Sequence, residues 1–118
     1  MIFIIGPLYA GKKNYIQKKL GLSEEEFLRR VVMDAHEQAY GLPAPIEAHM
    51  DALAELADRL AANELVISTE TGGGVVPIDP VERQHREAAG RLNCALAERA
   101  DVVIRVCCGL PQILKGSL

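Results

Sequence analysis

A three-layer α/β fold, with helices on both faces of a largely parallel sheet, is what this sequence predicts, and three observations predict it. Apolar runs suited to buried strands recur at Ile2 to Ile5, Val31 to Met33, Leu65 to Ser68 and Val102 to Cys107. Between them lie segments with apolar residues at helical spacing, and crossovers of that kind join parallel strands. Two of the runs open into glycine-rich turns, Gly6-Pro7-Leu8-Tyr9-Ala10-Gly11-Lys12 and Ser68-Thr69-Glu70-Thr71-Gly72-Gly73-Gly74. Glycine lets the backbone approach an anion, and a following helix points its free N–H groups at it.

Taken in order, Met1 to Ile5 reads as a buried strand and Lys12 to Leu20 as a helix stopped by Gly21, with Tyr15, Ile16 and Leu20 at helical spacing. Ser23 and Glu26 form a capping box that starts a second helix. Arg30 to Asp34 fits two states, the end of that helix or a strand closed by a carboxylate. The β-branched Val31 and Val32 favour the strand. Gly41, Pro43 and Pro45 then break the chain. Ile46 to Ala62 reads as one helix with Ile46, Met50, Leu53, Leu56, Ala57 and Leu60 on one stripe. Asp79 is placed to cap a helix that Pro80 starts and that runs to about Arg99, with Val81, Ala88, Ala89, Leu92 and Leu96 inward. After the strand to Cys107, Gly109 and Pro111 turn the chain. Gln112 to Lys115 can then return as a short antiparallel edge strand beside the four parallel ones.

At 118 residues the chain is one domain, residues 1–118. Apolar residues make up 49% and aromatics only 4%, so the core must be built from Leu, Ile, Val and Ala. A net charge of -3 argues against general nucleic-acid binding, which needs a clustered positive field. Lys18 and Lys19 read as a solvated helix face. The three cysteines, Cys94, Cys107 and Cys108, lack the spacing of a disulfide scaffold or zinc ribbon. His36, His49 and His85 lack metal-ligand spacing and read as ordinary helical residues. No secretory leader and no run long enough to span a bilayer is evident, and a cytoplasmic location is the default expectation.

Gly6 to Lys12 fits the first seven positions of the phosphate-binding loop GxxxxGK, whose eighth residue is Ser or Thr. In that pattern the loop of Gly6, Pro7, Leu8, Tyr9, Ala10 and Gly11 wraps a nucleotide's phosphates, every residue but Pro7 having a backbone N–H to offer, and Lys12 reaches the γ-phosphate. The hydroxyl that would ligate Mg²⁺ is replaced by Lys13. Mg²⁺ is then held by Asp34 and water alone, or Lys13 replaces part of its charge, or turnover is weak. Asp34 closes an apolar run, and from a strand end beside the loop it can order the metal's water shell. A helix N-cap is its other role. Glu70 stands before Gly72 and Gly74 at a strand end, where it contacts a base, a ribose or a substrate hydroxyl, or serves as a cap.

These residues together resemble the adenosylcobinamide kinase/adenosylcobinamide-phosphate guanylyltransferase family of cobalamin biosynthesis. Thr69-Glu70-Thr71-Gly72-Gly73-Gly74-Val75-Val76-Pro77 is similar to the family's N-E-V-G-x-G-I-V-P, and His85 to Asn93 to its F-R-D-x-x-G-x-x-N. Val102 to Pro111 resembles its closing strand and Gly-Leu-Pro turn, and Val31-Val32-Met33-Asp34 its acid-terminated strand. The resemblance covers the chain from Val31 onward together with the first loop. It departs at Tyr9, Ala10 and Lys13, where the family has Arg, Ser and Ser.

The resemblance implies a P-loop NTPase-like fold, ATP or GTP as phosphoryl donor, Mg²⁺, a corrinoid hydroxyl as acceptor and a homo-oligomer, with a trimeric ring as the expected form. It places Lys12 and Asp34 in catalysis, and Glu70, Gly72 and Gly74 in the second loop. The family's guanylylated histidine lies in a stretch with no counterpart here, since no histidine falls between Lys12 and Asp34. A kinase without guanylyl transfer is the implied activity. The alternative is a non-catalytic relative that binds a nucleotide or corrinoid for regulation or assembly.

Overall fold

β1 (Ile2–Gly6) occupies the centre of the sheet and explains most of the architecture. The structure is a computed structural model that describes residues 1–71 and 78–118. Among these the elements are β1, α1 (Lys12–Leu20), α2 (Glu24–Arg30), β2 (Val31–Val32), a 3-10 segment (Ala35–Gly41), a second (Ile46–His49), α3 (Met50–Ala61), β3 (Leu65–Thr69), α4 (Pro80–Arg99), β4 (Val102–Cys107) and β5 (Leu110–Lys115). The strand order is β2-β3-β1-β4-β5, with every pairing parallel except the antiparallel β4–β5 edge. The α/β three-layer expectation is met.

Register divides the core cleanly. Phe3 stands opposite Val66 on one side and Val103 on the other, and this row packs against Leu53, Leu56, Leu60, Leu92 and Leu96 of α3 and α4. One residue on, Ile4 stands opposite Ile67 and Ile104, and that row faces Ile16 of α1 and Phe27 of α2. Because successive strand residues point to opposite faces and both faces are covered, Ile2 to Ile5 of β1 and Leu65 to Ile67 of β3 must all be apolar. That is why these runs read as continuous rather than alternating.

Local signals fix the element ends. Ser23 Oγ accepts from the Glu26 N–H while the Glu26 carboxylate accepts from the Ser23 N–H, the expected capping box. Asp79 Oδ1 accepts from the Val81 N–H at 2.9 Å, with Pro80 in the first turn. Gly21 ends α1 in a left-handed conformation.

Four readings need correction. The Val31 strand is two residues long and excludes Met33. It begins directly after α2, which ends at Arg30, so the helix pattern and the strand pattern share the segment and meet at Val31. The Ile46 to Ala62 helix is split. Its start is a 3-10 turn to His49, whose Nδ1 lies 2.8 Å from the Pro45 carbonyl, and α3 proper begins at Met50. Met50 and Val81, read as inward, are exposed. β5 begins at Leu110 and carries Pro111 inside it, paired with Val106. Proline is tolerated there because β5 is an edge strand and its missing N–H breaks no inner ladder.

Candidate functional site

The loop after β1 curls over the start of α1. Tyr9 and Gly11 both take left-handed backbone conformations, at φ 59° and 88°. Gly11 offers no side chain to cap α1, and the first-turn N–H groups of a helix have no partner within it. The turn between β4 and β5 holds the loop from outside: the Gly109 N–H donates to the Ala10 carbonyl at 2.8 Å. The carbonyl of Gly6 accepts from the Glu70 N–H at 2.9 Å, which ties the loop's start to the end of β3.

Lys12 turns back under this loop. Its ammonium donates to the carbonyls of Gly6 (3.1 Å) and Pro7 (2.8 Å) and to Thr69 Oγ1 (3.0 Å). All three of its protons are thereby used. The side chain is 9% exposed. Burial pulls its pKa below the ordinary lysine value, while Asp34 and then Glu70 pull the other way. Lys13 points elsewhere, 2.6 Å from Glu24 Oε1 and with its Nζ 4.9 Å from the centre of the Phe27 ring. Its ammonium is thereby engaged by Glu24 and Phe27.

A cleft of about 240 Å³ opens above Lys12, lined by the loop from Leu8 to Asn14 together with Met33, Asp34 and Thr69. Asp34 lies two residues past the end of β2. Its strand is not beside the loop strand, because β3 lies between β2 and β1. Asp34 itself is exposed and left-handed at φ 52°, and its carboxylate makes no cap bond to the 3-10 segment that follows, so the capping role is not seen. Glu70 is not presented as a free carboxylate either. The Arg105 guanidinium grips both of its oxygens, at 2.5 and 3.1 Å. Gly72 and Gly74 of the second loop lie outside the described residues.

Sequence reasoning missed the polar network beneath the cleft. The buried polar residues among those described are Lys12, His36, Ser68, Thr69 and Asn93, and hydrogen bonds connect all of them. The Thr69 N–H donates to His36 Nδ1 (3.2 Å), and its carbonyl accepts from Asn93 Nδ2 (3.1 Å). Ser68 Oγ donates to Asn93 Oδ1 (2.6 Å). His36 is thus a fixed acceptor rather than an ordinary helical residue. Tyr40 meets its ring edge-on at 6.1 Å and stacks on His85 at 4.5 Å.

Burial drives the His36 pKa below the usual histidine value of 6.5, with Asp34 and Glu37 opposing and Lys12 reinforcing the shift. The unfolded chain therefore binds a proton here before the folded chain does. The stability His36 contributes is complete above about pH 6.5 and is lost as pH falls toward the lower folded value. We expect the urea unfolding midpoint to drop between about pH 7.5 and about pH 5.5, and His36→Gln to lessen that drop.

Among the described residues no group of three or more His, Cys, Asp or Glu side chains is placed to hold a metal, and no helix is long and apolar enough to cross a membrane. All three cysteines are free thiols.

The site's second half carries the likeness to known proteins. The chain is 38% identical over 74 residues to the bifunctional adenosylcobalamin biosynthesis protein CobP of Pseudomonas aeruginosa, a match that covers 63% of this chain and 43% of that protein. The chain thus spans less than half of that relative. A family model described as cobinamide kinase / cobinamide phosphate guanyltransferase (CobU) matches residues 25–114, which takes in Asp34, Thr69, Glu70, Asn93 and Arg105. The chain belongs to the CobU family of cobinamide kinases and cobinamide phosphate guanyltransferases.

Proposed function

We propose that this protein binds a nucleoside triphosphate, ATP or GTP, with its phosphates on the loop Gly6 to Lys13, and transfers the γ-phosphoryl group to a hydroxyl of a corrinoid. The observation that carries this reading is the Lys12 ammonium, buried on the floor of a backbone-lined cleft at the start of α1. Phosphoryl transfer asks little more of a protein than positioning and charge stabilisation. Lys12 exchanges a carbonyl partner for a phosphate oxygen and stabilises the transferring group. Family membership and the relative's name support the corrinoid as acceptor.

The residues present suit Mg²⁺ bound mainly through phosphates and water. One carboxylate, Asp34, lines the cleft, and Mg²⁺ at nucleotide sites commonly takes only one or two protein carboxylates. When bound, the metal neutralises phosphate charge; Asp34 orders its water shell. Guanylyl transfer through a histidine is not part of the proposal, since no histidine falls between Lys12 and Asp34. Association into a homo-oligomer, with three copies as the expected number, is proposed from family membership, and a monomeric mass by light scattering would count against it.

A second reading, a non-catalytic nucleotide- or corrinoid-binding relative, is favoured by the placement of Lys13, which gives the metal nothing and is paired with Glu24. Calorimetric titration with a non-hydrolysable triphosphate, with and without Mg²⁺, tests the shared part of both readings. Absence of binding would sink the kinase and leave of the second reading only a corrinoid binder. Phosphorylation of cobinamide separates them. Lys13→Ser returns a hydroxyl to the metal position, and we expect Mg²⁺ to raise triphosphate affinity more in this variant than in the wild type.

A further inference from the structure

Thr69 has one hydrogen-bonding capacity left over. Its N–H goes to His36, its carbonyl receives Asn93, and its Oγ1 receives Lys12. No group among the described residues accepts the hydroxyl's own proton, although the residue is 7% exposed and lines the cleft. With Lys12 on its oxygen, the hydroxyl has its proton left to offer to a ligand oxygen in the cleft. Thr69 also stands in register with Gly6, the residue from which the phosphate loop departs. Its backbone is fixed at both polar groups, so the hydroxyl is presented from a rigid strand end.

We propose that Thr69 is a phosphate ligand of this site, accepting a hydrogen bond from Lys12 and donating its hydroxyl proton to an oxygen of the bound phosphate chain. The proposal rests on the nucleotide reading of the loop. It supplies a hydroxyl to a site in which position 13 has lost one. The ligand is the anion rather than the metal, because Oγ1 already faces an ammonium at 3.0 Å and a second cation on the same oxygen would be repelled by it. Asn93 and His36 are positioning residues that act through Thr69.

The test is titration of a non-hydrolysable triphosphate into the wild type, Thr69→Val, Thr69→Ser, Lys12→Ala and the double variant Lys12→Ala with Thr69→Val, each with and without Mg²⁺. Thr69→Val keeps the side chain's shape and removes its hydroxyl. It should weaken binding about tenfold, equally with and without the metal. Thr69→Ser should stay close to wild type. In the Lys12→Ala background Thr69→Val should still cost affinity, which a residue acting only by placing Lys12 would not do. If Thr69→Val does not fold, Thr69→Ala in the same backgrounds takes its place. Wild-type affinity in Thr69→Val, or no further loss in the double variant, overturns the assignment while leaving the nucleotide site standing. A loss seen only with Mg²⁺ would make Thr69 a metal ligand and overturns it as well. A wild type that does not bind at all removes the nucleotide reading and this one with it.

Discussion

Lys12→Ala should weaken binding of a non-hydrolysable triphosphate by about ten- to a hundredfold, while Lys13→Ala stays within about threefold of wild type. The two residues are adjacent and carry the same charge, so composition cannot tell them apart. Their placement does. The Lys12 ammonium is buried beneath the loop on the carbonyls of Gly6 and Pro7 and on Thr69. There an exchange of partner gives a charge-assisted bond to phosphate away from bulk water, worth about twice a neutral one. Lys13 is half-exposed and engaged with Glu24, also exposed, and such surface pairs contribute little. Calorimetry at a single fixed salt concentration reads the difference directly. Equal losses in both variants would mean that only overall positive charge attracts the nucleotide and that the loop holds nothing.

Gly6→Ala should destabilise the fold by about 3 kcal/mol and lower the melting temperature by roughly 10 °C. A Cβ at residue 6 would come within 2.1 Å of the Val106 carbonyl oxygen, a contact with backbone that no rotamer relieves. Either β1 or β4 must shift, and both run through the middle of the sheet. The same movement would displace the Gly6 carbonyl from the Glu70 N–H and from Lys12. The variant should therefore lose triphosphate affinity as well as stability. Thermal unfolding followed by circular dichroism measures the first, titration well below the transition the second. A variant that melts like the wild type would show that the strands have more room than the geometry gives them.

The fold was legible because its strands are buried on both faces. Phe3 and Ile4, like Val66 and Ile67, leave no polar position to blur the run, and capping residues such as Ser23 and Asp79 act through neighbours two or three positions away. The acid and the lysine could be named because Asp34 closes a readable apolar run and Lys12 closes the GxxxxGK loop that follows one. What could not be read was anything set by strand order. That β3 separates the Asp34 strand from the loop strand, and so puts Thr69 rather than Asp34 next to Lys12, depends on pairings between residues far apart in the chain, Val31 with Leu65 and Ile2 with Leu65. Thr69, His36 and Asn93 carry no spacing that marks them as partners, though Thr69 and Asn93 both stand in segments similar to family motifs. The Glu70–Arg105 pair was hidden in the same way, because Arg105 lies on β4 and Glu70 just past the end of β3, two strands that have β1 between them.

The grip of Gly109 on Ala10 has a consequence for how the cleft comes into being. The GxxxxGK motif is complete by Lys12, yet its loop is held by a turn nearly a hundred positions later and by a strand that begins at Leu65. Contacts of such long sequence separation form late and cooperatively. The anion binding proposed for the loop would therefore report on the finished sheet, not on the N-terminal segment that carries the motif. A ligand captured there would stabilise the whole domain by mass action, and a fragment ending before Val102 would contain every residue of the motif without the turn that holds its loop from outside.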